Sequence, residues 1–136
     1  MSSNITTYAE AEAFFAARIN RSRTYLGSVR AVRLPETGTV LRKTWDHERS
    51  QYGYAVRYHD TDVVTYWEDG TVAVATGGWL TVTTVARMQQ FLPAVFSFEA
   101  KVYYKDQARR SVTVYGPYNQ TEFFFPAQTG TRRFAF

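Results

Sequence analysis

The chain has two histidines, His47 and His59, and neither falls in a spacing that acid–base or metal chemistry uses. His59-Asp60-Thr61-Asp62 places an imidazole and two carboxylates within four residues. The same order suits a tight turn between strands, because Asp and Thr side chains bond back to nearby backbone. We adopt the turn reading; a hydrolase would need a cavity holding His59 and Asp62 together. Asp46-His47-Glu48 is a poorer ligand set still, since neighbours along a strand face opposite sides. The chain has no Cys and no Ser within Gly-x-Ser-x-Gly, which removes the usual activated nucleophiles. Gly77-Gly78 lacks the Lys and the spacing of a phosphate loop. The expectation is a protein that is not an enzyme, with no catalytic residues, no metal and no cofactor.

Binding is then the chemistry left to look for. Aromatic residues make up 17% of the chain, and most must be core. The exception is a polar hairpin face over 98–116, on which Lys101, Tyr103, Lys105, Arg109, Arg110 and Tyr115 are expected to lie together. Cations interleaved with Tyr on an antiparallel sheet are what single-stranded nucleic-acid platforms use, rings stacking on bases and cations following phosphates. The net charge of +4 is unevenly placed. Residues 1–17 carry −2, 18–49 carry +5, 50–100 carry −3 and 101–136 carry +4. Two basic blocks therefore flank an acidic middle, able to build a positive face for phosphate or acidic protein, or an evenly solvated surface.

The elements that must position these residues follow from pattern. Thr7 with Glu10 forms a capping box, and Tyr8, Ala11, Phe15 and Ile19 form one apolar stripe, predicting a helix over about 7–19. Strands are expected near 28–34, 39–45, 53–59, 62–68 and 71–76, joined as a meander by turns at Pro35–Gly38, at His59–Asp62 and at Asp69-Gly70, the last of type I′. Gly77-Gly78 provides a kink that turns Trp79 inward. Thr83 and Thr84 are expected to cap a second helix over about 84–92, ended by Pro93. Clean alternation then gives a hairpin of 98–105 with 111–116 and a short strand near 121–125.

With 136 residues, 45% hydrophobic content and 21% charged, the chain has the size and composition of one globular domain. The fold expected is α+β, an antiparallel sheet of about eight strands with two helices packed on it. The N-terminus lacks a basic start followed by an apolar run, and no apolar stretch approaches the roughly 20 residues of a membrane span. A cytoplasmic protein with no membrane partner is expected; homo-oligomers stay open.

Residues 61–93 run through Asp69-Gly70, Gly77-Gly78-Trp79, Thr83-Thr84, Arg87 and Leu92-Pro93. This segment resembles one common in small proteins of tailed bacteriophages, which usually continue with an aromatic strand, as Phe96–Tyr104 does here. The resemblance implies a phage gene product in a bacterial host's cytoplasm, and it transfers no functional residues. The resulting expectation is a phage-type accessory protein that binds nucleic acid through the hairpin face. The alternative is a protein-binding inhibitor of a host or anti-phage defence enzyme, and a virion component is a minor option.

Overall fold

The computed structural model describes residues 3–77, 81–101, 111–124 and 131–135. Helix α1 (Tyr8–Arg18) starts where its cap predicts: Thr7 is extended and its hydroxyl accepts from the Glu10 N–H at 3.2 Å. The Glu10 carboxylate reaches back one residue further than a capping box requires, accepting from the Thr6 N–H at 3.1 Å and from the hydroxyls of Thr6 and Thr7. Burial pushes that carboxyl up, but these bonds outweigh it and hold it below its ordinary value. A 3-10 turn (Ile19–Arg21) closes the helix.

Seven strands form the main antiparallel sheet: β1 (Thr24–Leu26), β2 (Val29–Arg33), β3 (Thr39–Asp46), β4 (Gln51–Tyr58), β5 (Thr61–Trp67), β6 (Val72–Val74) and β10 (Arg132–Phe134). β1 to β6 follow chain order as a meander, and β10 returns to cover the free edge of β6. That edge being taken, β7 (Ser97–Lys101), β8 (Ser111–Tyr115) and β9 (Gln120–Phe124) pair among themselves as a second antiparallel sheet. The expected α+β architecture holds, with ten strands in two sheets among the described residues rather than about eight in one. β1 and β10 have three residues each, too short for alternation to announce them.

Helix α2 (Val82–Phe91) begins two residues earlier than its sequence suggests. Its cap is Thr81, whose hydroxyl accepts from the Thr84 N–H at 3.1 Å, and Thr84 is buried inside the first turn. The Asp69-Gly70 turn also differs from type I′, which needs positive φ at both central residues. Here Gly70 is positive (φ 90°) and Asp69 is not. Gly70 N–H donates to the Trp67 carbonyl and Trp67 N–H to that of Thr71, so the loop has three residues with glycine at its left-handed position. Asp69 selects this form by accepting from the Thr71 N–H at 2.9 Å and its hydroxyl at 2.7 Å. Gly77 does sit at a kink: its φ is 63°, and a Cβ there would run into Thr61. Trp79 lies outside the described residues.

Cross-strand register places Leu41, Tyr54, Val56, Val64, Tyr66 and Val72 on one face, all buried. Both helices cover that face. Tyr8 and Phe15 of α1 each lie 5.3 Å from the Tyr54 ring, and Ala11 between them is fully buried, letting the helix approach closely. Val85, Met88 and Phe91 of α2 enter the same core, as do Val112 and Val114 of the second sheet. Phe96 meets Phe134 edge-on at 5.4 Å where the two sheets join. No helix among the described residues is long and apolar enough to cross a membrane.

Tyr66 stands at the centre of this core, 1% exposed. Its hydroxyl donates to the carbonyls of Ile5, at 3.2 Å, and Phe91, fastening the N-terminal segment and the end of α2 to β5. Burial first, and the Glu10 charge second, push its phenol well above the ordinary value, so it remains a donor. Tyr66→Phe leaves both carbonyls without this donor in a dry site, and we expect a loss of about 1–3 kcal/mol in denaturant unfolding. An unchanged midpoint would show that the hydroxyl fastens nothing.

Candidate nucleic-acid interface

The sheet face away from the helices takes the charged residues, and register pairs them. Arg57 and Asp62 are cross-strand partners, with Nη1 3.3 Å from Oδ1. Arg42 on β3 adds a two-pronged contact to the same carboxylate, Nε to Oδ1 at 3.1 Å and Nη2 to Oδ2. The hydrogen bonds to Asp62 raise the Arg42 pKa against the opposing effect of burial. Arg133 of β10 reaches Asp46 at 3.0 Å, Asp69 at 3.4 Å and the Thr71 hydroxyl at 2.7 Å, with its guanidinium 4.9 Å from the Trp67 ring. Burial raises Asp46 and Asp69, yet both lie below their ordinary values. At Asp46 the Arg133 bond leads, joined by backbone N–H groups; at Asp69 the Thr71 bonds lead, with Gln51 and Arg133 behind. These cations tie β3, β4, β5 and β10 to one another.

The arginines between Glu12 and Glu36 are placed differently. That stretch contains Arg18, Arg21, Arg23, Arg30 and Arg33 and no acidic residue. The end of α1, the 3-10 turn and the β1–β2 ribbon gather all five at the β1 edge of the main sheet. Arg18, Arg21 and Arg30 donate to the carbonyls of Phe14, Ala17 and Ile19, capping the helix end. Among the described residues none of the five has a carboxylate within ion-pair distance, and the Arg23 and Arg33 side chains make no hydrogen bond to them. Arg18, Arg21, Arg23 and Arg33 line an open groove of about 600 Å³. A second hollow of about 480 Å³ shares Thr24 and Arg33 with it and extends to Arg57 and His59. Glu36, which also lines it, is 8% exposed and engaged by the Ser3 N–H and Gln90. Such a trough of uncompensated guanidinium groups is built to attract phosphate.

The hairpin face expected from sequence is placed only in part. Lys101 ends β7 opposite Ser111, while Tyr103, Lys105, Arg109 and Arg110 lie outside the described residues. Tyr115 is half-buried and donates to Glu99 at 3.2 Å; burial and then the Glu99 charge push its phenol up. Register sets Glu99, Thr113 and Glu122 side by side, and Thr113 donates to Glu122 at 3.1 Å. Two carboxylates, Glu99 and Glu122, therefore share that face with Tyr115.

His59 occupies the turn, at φ 53°, between the paired residues Tyr58 and Thr61. Its ring packs 4.2 Å from Tyr58 and lines a cavity of about 400 Å³ with Asp60 and four threonines. Asp62 does not line that cavity; it is held by Arg42 and Arg57. No group of three or more His, Asp or Glu among the described residues could hold a metal.

Comparison with known proteins adds one finding. The family model described as Kyanoviridae Gp96 protein matches residues 36–130. The chain belongs to the Kyanoviridae Gp96 protein family. It is therefore a small phage protein. Neither the curated proteins nor the solved structures give a match. The Gp96 span contains β3 to β9 and the 61–93 segment, whereas the arginines from Arg18 to Arg33 precede it.

The two sets of arginines should respond oppositely to neutralisation. In this Gp96 protein Asp62→Asn strips Arg42 and Arg57 of their shared, three-quarters-buried counter-charge, and we expect a cost of about 1–3 kcal/mol. Arg23→Gln with Arg33→Gln should stay within about 0.5 kcal/mol per site. Denaturant midpoints check both, and a large loss in the second variant would make the groove arginines structural.

Proposed function

We propose that this Gp96 protein is a non-enzymatic accessory protein of a tailed phage, acting in the bacterial cytoplasm, and that it binds nucleic acid through the arginine groove. The observation that carries this reading is the gathering of Arg18, Arg21, Arg23 and Arg33 around one open groove with no carboxylate among the described residues paired to them. Neutralised arginines elsewhere in the chain contribute stability; unneutralised ones contribute a field. The competing proposal is the set expected from sequence, Lys101, Tyr103, Lys105, Arg109, Arg110 and Tyr115, and the same experiment tests it.

Affinity for an oligonucleotide should fall linearly on a logarithmic salt scale. Four arginines on four phosphates predict a slope of about −3 for a single strand. Arg23→Gln with Arg33→Gln should reduce that slope by about 1.4, because two contacts vanish. Lys101→Glu with Arg110→Glu should leave it unchanged. Loss of binding in the second variant and not in the first moves the interface to the hairpin, and salt-independent binding contradicts both.

A second reading rests on a separate patch. Trp45 and Tyr52 are 41% and 45% exposed, meet edge-on at 4.7 Å, and Lys43 Nζ lies 4.3 Å from the Tyr52 ring. Exposed Trp and Tyr with an adjacent cation are the composition of a protein-binding hot spot. This patch supports the alternative of an inhibitor that covers a host or defence enzyme.

A further inference from the structure

We infer that the nucleic acid taken by the groove is single-stranded and that one of its unpaired bases stacks on Tyr25. The inference rests on the groove reading above and adds to it the state of the strand. From Arg21 to Leu26 exposure alternates with period two: Arg21, Arg23 and Tyr25 are exposed, while Ser22, Thr24 and Leu26 are half-buried. Alternation along an extended chain puts Arg23 and Tyr25 on one side, about 7 Å apart. Ser22 locks this register, its hydroxyl donating to the Ala31 carbonyl and accepting from the Thr24 N–H at 3.2 Å.

Tyr25 is 52% exposed, with a ring face open to solvent. Its cross-strand neighbour is Arg30. The Arg30 guanidinium lies 5.6 Å from the ring centroid, and Nη2 donates to the Tyr25 hydroxyl at 3.1 Å. One contact thus fixes the ring in place and leaves it in water beside Arg23, which lines the groove. A strand whose phosphates follow the arginines would carry its bases past that ring. Bases in a duplex are stacked on one another and cannot reach it; unpaired bases can, whatever their sequence, since every base has a π-face.

Binding of the full chain to four labelled probes tests this: oligo-dT, oligo-U, an abasic strand with the same number of phosphates, and a duplex of equal length. The wild type should bind oligo-dT or oligo-U more tightly than the abasic strand and the duplex. Tyr25→Ala should weaken that binding about 5- to 100-fold and leave the abasic strand unaffected, while Tyr25→Phe keeps wild-type affinity. Equal affinity of the wild type for the abasic strand, or no effect of Tyr25→Ala, overturns the stacking. Arg23→Gln with Arg33→Gln separates the two claims: if it abolishes binding where Tyr25→Ala does nothing, the groove stands and the base contact falls. If neither variant changes binding, both fall.

Discussion

The buried face of β3, β4 and β5 is the constraint from which the rest follows. Leu41, Tyr54, Val56, Val64 and Tyr66 occupy alternate positions along those strands, so their neighbours are forced to the other side. Two helices and a second sheet close over the apolar face. A one-residue slip in any of these strands would bring Arg42, Arg57 or Asp62 into the core, which sets the register firmly. Gly53 sharpens it further, since a Cβ there would come within 2.5 Å of the Trp67 ring on the partner strand.

That constraint also sorts the cations. Arginines on the far face of long strands find aspartates at matching register and are neutralised, which binds β3, β4, β5 and β10 to one another. Arg18, Arg21 and Arg23, between the end of α1 and the start of β1, and Arg30 and Arg33 of β2 are at the sheet's edge, where no acid among the described residues pairs with them. Charge on an edge strand keeps it from pairing with other chains. The grouping around one groove goes beyond that need, because Arg18 and Arg21 come from the helix end and not from the edge strand. Under the proposed function, stability and recognition fall to different arginines in the same small fold.

Much of the architecture was legible in the sequence where a local physical signal was strong. Thr7 and Glu10 announced α1, alternation announced β3 to β5, and the paired residues around His59-Asp60 follow from turn chemistry. The misreadings have local causes. Thr83 and Thr84 sit so close to Thr81 that residue type alone did not fix the α2 cap, and the Thr71 bonds of Asp69 selected a three-residue loop over type I′. The candidate site was less legible. Tyr and Lys alternation drew attention to the 98–116 hairpin, while Glu99 and Glu122 acquire weight only when register sets them on either side of Thr113. The arginine groove did have a signal, five arginines and no acid between Glu12 and Glu36. Its meaning depended on the chain turning back from α1 to the β1–β2 ribbon, which no local pattern encodes.

The most direct test of the central claim is a residue-by-residue map of backbone amide shifts on titrating the protein with a short single-stranded oligonucleotide. Shifts grouped between Arg18 and Arg33, with β7, β8 and β9 unmoved, are what this account predicts. Shifts centred on the β7–β8 hairpin, or a spectrum that does not respond, would contradict it.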